Sequence, residues 1–78
     1  MTSASKRIVT YHIARLQDKN PQVRLKAISE LLLLADPDAL DALRAVFETD
    51  PDLEVRKAAQ EAGRAIFLKM KQEEEVNK

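Results

Sequence analysis

The sequence predicts an all-α fold made of two stacked helical hairpins, and three observations carry that expectation. First, the 78 residues include one Gly, three Pro and 4% aromatic side chains, a poor supply for β-turns and strands. Ala, Leu, Glu, Lys and Arg dominate instead, and these are strong helix formers. Second, each Pro sits beside a side chain suited to capping a helix: Asn20-Pro21, Asp36-Pro37 and Asp50-Pro51-Asp52. These breaks cut the chain into four segments. Third, one stretch recurs at a spacing of 32 residues, the mark of a solenoid built from repeated units.

The first helix is expected over about 6–17, with Ile8, Val9, Ile13 and Leu16 on one face. Asn20 then reads as an N-cap with Pro21 at the first helical position, where the missing N–H costs nothing. The second helix runs over 21–34 with Val23, Ala27, Leu31 and Leu34 as its core stripe. Asp36 and Pro37 repeat the same start signal for a third helix over 37–48, carrying Leu40, Leu43, Val46 and Phe47. Asp52 caps the fourth, with Glu54 in its first turn favoured by the helix dipole. That helix reaches Gln72 through Val55, Ala59, Ala62, Ile66 and Met70. The chain is therefore read as one domain over 1–72, with repeats at about 6–35 and 36–70 and a frayed polar tail at 73–78.

The repeat aligns Asp18-Lys19-Asn20-Pro21-Gln22-Val23-Arg24-Leu25-Lys26-Ala27 with Asp50-Pro51-Asp52-Leu53-Glu54-Val55-Arg56-Lys57-Ala58-Ala59. The pattern Asp-x-Asn/Asp-x-x-Val-Arg-x-x-Ala on the second helix of a pair resembles HEAT repeats. It is most similar to the short bacterial HEAT-like repeats also found in phycobilisome lyases. The resemblance covers about residues 6–70. It implies a buried polar ladder between neighbouring repeats, which falls here on Asp18, Arg24, Asp50 and Arg56. The second repeat departs from the pattern twice. Phe47-Glu48-Thr49 places an extra residue before Asp50, and Gly63 stands where such repeats carry Leu.

Differences between the aligned repeats carry information about neighbours. Lys26 and Glu30 flank the core stripe of the second helix on one side, and Ile28 and Leu32 on the other. In the fourth helix the flanks exchange character: Ala58 and Ala62 replace Lys26 and Glu30, while Gln60 and Arg64 replace Ile28 and Leu32. The expectation is that the small Ala residues pack against the Ile28 flank and that the polar outer flanks cap a finished two-repeat unit. Leu25, Ser29, Lys57, Glu61 and Leu68 fall outward on the helical wheel, with Leu33 and Phe67 at the margins. An apolar outward surface is an expected interface, for a foreign protein or for a second copy in a homodimer.

Catalytic, cofactor and metal sites are not expected. His12 is the only His and there is no Cys, so no zinc or transition-metal set can form. Asp50-x-Asp52-x-Glu54 lacks the length, Gly and distal Glu of a calcium loop, and Asp36, Asp50 and Asp52 have structural work. Asp38 and Asp41 add carboxylates without a partner pattern. No nucleophile motif or Gly-rich phosphate loop is present. Thirteen basic and thirteen acidic residues leave zero net charge, without the basic excess that nucleic-acid binding draws on. The stretch Arg56, Lys57, Arg64, Lys69, Lys71 is read as a solvated face before a DNA-backbone surface. The longest apolar run, 31–35, is far below the roughly 20 residues of a membrane span. With no signal-peptide stretch after Arg7, a cytoplasmic location is expected. The expected function is a non-catalytic protein-interaction or scaffolding module. The alternative implied by the resemblance is an accessory subunit of a bilin-handling enzyme.

Overall fold

A computed structural model describes residues 4–76. Among them the chain forms α1 (Ala4–Arg15), α2 (Pro21–Leu34), a single 3₁₀ turn (Pro37–Ala39), α3 (Leu40–Thr49) and α4 (Leu53–Val76), with no strand. The first hairpin is α1–α2 and the second α3–α4, and the hairpins meet where α2 packs against α4.

The helix starts follow from local chemistry. Asn20 Oδ1 accepts the Gln22 N–H at 2.8 Å, and Asp36 Oδ1 accepts the Asp38 N–H at 2.8 Å. Asp52 Oδ1 accepts the Val55 N–H at 3.2 Å. Each cap satisfies a backbone donor that the first helical turn leaves without a partner. The third segment differs from the expected helix over 37–48. Its first turn closes tightly, with the Ala39 N–H on the Asp36 carbonyl at 3.0 Å, and α-helix begins only at Leu40. Such 3₁₀ turns are frequent at helix N-termini.

The ends of α1 and α4 also differ, whereas α2 stops at Leu34 as expected. α1 stops at Arg15, and the next N–H groups bond three residues back, Leu16 to Ile13 and Gln17 to Ala14. α2 ends on Ala35 in the left-handed region (φ 50°, ψ 35°), whose N–H reaches the Leu31 and Leu32 carbonyls. α4 continues through Glu73–Val76, where a frayed tail was expected. Elongating an existing helix adds one hydrogen bond per residue without a new nucleus, and Lys, Gln and Glu are good helix formers. The rest of that tail, Asn77 and Lys78, lies outside the described residues.

The core is built from Val9, Leu16, Ala27, Ile28, Leu31, Ala39, Leu43, Val46, Val55, Ala59, Ala62 and Ile66. On α4 the buried residues are the expected ones, with Met70 half-buried. On α2 the buried stripe is turned toward the second hairpin: Arg24 and Ile28 are buried, Val23 is half-buried, and Leu34 is exposed. The cause is α4, whose Ala59 and Ala62 are small enough to let it close over the Ile28 flank. On α1, Ile8 is 47% exposed, and on α3 Phe47 is 41% exposed, because no helix covers those directions. Lys6 fastens α1 to the turn after α2, with Nζ 2.8 Å from both Asp36 Oδ2 and Asp38 Oδ2.

Candidate interaction surfaces

One buried arginine joins the two hairpins. Arg24 Nη1 donates to the backbone carbonyls of Asp18 at 2.7 Å and Lys19 at 3.2 Å. Its Nη2 donates to Asp50 Oδ1 at 3.2 Å. Nε lies 2.8 Å from Asp50 Oδ2. That last contact is a close ion pair whose N–H points away from hydrogen-bond geometry. Asp50 Oδ1 also takes the Asp52 N–H at 2.9 Å, so one carboxylate orders the loop before α4 and neutralises Arg24. Both side chains are about nine-tenths buried, and removing either would strand the other charge.

The other two ladder positions behave differently. Asp18 meets Arg24 through its backbone carbonyl, while its carboxylate accepts the Asn20 N–H at 2.9 Å. Arg56, equivalent to Arg24 by the 32-residue spacing, is half-buried and has no ion pair or side-chain hydrogen bond among the described residues.

The expected outward residues divide. Ser29, Lys57, Glu61 and Leu68 are exposed, Leu68 by 52%. Leu25 is not: it is half-buried and packed against the core. It lies one turn before Ile28 on the same helical face, so the rotation that buries Ile28 carries Leu25 inward. The largest exposed apolar side chain on this side is Leu33 at 79%, which the wheel had placed at the margin.

A family model of HEAT repeats matches residues 3–64, most of the chain. The chain belongs to the HEAT-repeat family. No curated protein matches it. No solved structure matches it either.

In this HEAT unit a second surface lies on the side of α3 and α4 away from the first hairpin. A groove of about 280 Å³ runs between Leu40, Arg44 and Phe47 of α3 and Gln60, Gly63 and Phe67 of α4. A second hollow of about 510 Å³ adjoins it, sharing Phe47 and Gln60 and reaching Leu53, Arg56 and Lys57. A Cβ on Gly63 would meet no atom within 4 Å. The aligned position in the first repeat is Leu31, which is fully buried, so the groove exists where the second repeat omits that side chain. The departure at Gly63 is legible in the sequence, but the groove it leaves depends on how α3 and α4 pack.

The remaining chemistry is sparse. His12 is half-buried against Tyr11, ring centroids 5.1 Å apart and edge-on, and Arg15 lies 5.5 Å over the Tyr11 ring. Among the described residues no group of three His or carboxylate side chains is placed to hold a metal ion. The Asp36 carboxyl is held below its ordinary value, first by the hydrogen bond from Lys6 and then by the Asp38 N–H. Lys6 is correspondingly raised. No described helix is long and apolar enough to cross a membrane.

Proposed function

We propose that this HEAT unit is a non-catalytic protein-interaction module whose contact surface is the outward face of α2 and α4. The observation that carries the reading is Leu33, 79% exposed near the end of α2, with Leu68 half-exposed toward the end of α4. Ser29, Lys57 and Glu61 supply exposed polar groups on the same outward side. An apolar centre with a polar surround is the composition that protein interfaces use. Family membership supports an interaction role in general terms. It adds nothing specific for the bilin-accessory alternative, because the match is to HEAT repeats as such.

The test is a pair of charge insertions, Leu33→Glu with Leu68→Glu. Both positions are outside the core, so the helical circular dichroism and melting transition should be unchanged. Capture of the chain's partner from its native cell extract should be lost. Undiminished capture of the same partner by the double variant would place the contact surface elsewhere.

A further inference from the structure

The C-terminal part of α4 is an addition to the HEAT unit. α4 has 24 residues against 14 in α2, and the family match ends at residue 64. At 1.5 Å per residue the stretch 67–76 adds about 15 Å of helix. Along it Phe67, Met70, Lys71 and Glu74 share one face, spaced i, i+3, i+4 and i+7. Its end is acidic, with Glu73, Glu74 and Glu75 all exposed.

The groove between α3 and α4 has complementary dimensions and charge. From Phe67 back to Arg56 it runs about 16 Å along α4 at the same rise per residue. Its far end carries Arg56 and Lys57, with Arg44 on the α3 side. Arg44 is held only loosely, 3.7 Å from Glu48, and Arg56 has no partner among the described residues. The floor is Gly63. Gly in a helix interior costs about 1 kcal/mol relative to Ala. Nothing inside the described chain requires it, since the space above it is open. A glycine there does allow another helix to approach closely.

We propose that the groove is filled by the α4 extension of a second copy of this chain. The two α4 helices then run antiparallel and cross near Phe67. An antiparallel crossing makes the contact isologous: each extension occupies the other copy's groove, and the assembly closes as a two-fold dimer. Phe67 meets its own counterpart at the axis, where aromatic pairs stack favourably. Met70 lies over the Gly63 region, and Glu73–Glu75 come opposite residues 59–61, about one helical turn short of Arg56 and Lys57 and within reach of those long side chains and of Arg44. A head-to-tail stack fits less well. It would press Lys26 and Glu30, paired at 3.4 Å, onto the groove, where the aligned positions of the second repeat carry the small Ala58 and Ala62.

This surface shares only Lys57 with the one assigned to a foreign partner, and sedimentation equilibrium distinguishes them. The full chain, run from about 1 µM to about 1 mM, should rise from 8.8 kDa toward twice that mass. Gly63→Leu fills the groove and improves helix propensity. It should melt no lower than the parent and raise the dissociation constant at least ~10-fold. Replacing Glu73, Glu74 and Glu75 by Lys should weaken pairing at low salt, whereas Leu33→Glu should leave it unchanged. A parent chain that stays monomeric throughout overturns the proposal. A dimer that Gly63→Leu leaves intact overturns it equally.

Discussion

Replacing Arg24 with Met removes the donor to two loop carbonyls and leaves the Asp50 carboxylate, 6% exposed, without its counter-charge. Met keeps most of the aliphatic volume, so the loss is mainly polar. Breaking a buried pair from one side costs about 3–5 kcal/mol. A chain of 78 residues has a total stability of about 4–12 kcal/mol at ordinary per-residue values. The variant should therefore lose about half of its stability. With a urea slope of about 1 kcal/mol/M for a domain this small, the midpoint falls by about 3–5 M. The melting temperature falls by about 12–40 °C at 4–8 °C per kcal/mol. Helical circular dichroism followed through urea reads both. Asp50→Asn added to Arg24→Met removes the stranded charge while the side-chain oxygen still takes the Asp52 N–H, so about 1 kcal/mol or more should return. A single variant costing less than about 1 kcal/mol, or a double variant weaker than the single, would refute the role given to this pair.

The other predictions concern single contacts. Ala35→Gly should stabilise the chain by about 0.5–1 kcal/mol, seen as a higher melting temperature, because the left-handed φ of 50° carries a Cβ penalty that Gly lacks. Ala62→Leu, which overfills the junction between hairpins, should cost about 1–3 kcal/mol in urea unfolding. The Lys6–Asp36 contact predicts a pH dependence with both signs. Asp36 is depressed in the folded state, so its contribution is complete above the ordinary value of 3.8 and fades as pH falls through the folded value. Lys6 is raised, so its contribution is complete below 10.5 and fades as pH rises through the folded value. The stability gap between parent and Lys6→Ala should be flat from about pH 5 to about pH 9 and narrow toward acid and alkali.

What the sequence revealed was local or periodic. Asn20, Asp36 and Asp52 were legible as caps because capping involves neighbours two or three residues away. The exchange of Lys26 and Glu30 for Ala58 and Ala62 pointed to the junction between hairpins because equivalent positions in the two repeats meet different neighbours. A helical wheel, by contrast, gives directions without saying which are covered. That is why Ile8, Leu34 and Phe47 looked like core and Leu25 looked free. The Lys6 bridge joins residues 30 and 32 positions apart, and no local pattern announces it. Asp18 meets Arg24 within its own repeat, through its carbonyl rather than the carboxylate that the ladder pattern suggested. Ala35 closes α2 in a conformation that Gly usually signals, so its sequence identity hid the turn.

The central claim, a protein interface on the outward face of α2 and α4, is tested most directly by photo-crosslinking in the native cell. A photoreactive residue is placed in turn at Leu33, at Leu68 and, as control, at exposed Ile8 on α1. The account predicts one adduct with the same foreign protein from positions 33 and 68 and none from position 8. Adducts absent from both outward positions, or equally abundant from position 8, would contradict it.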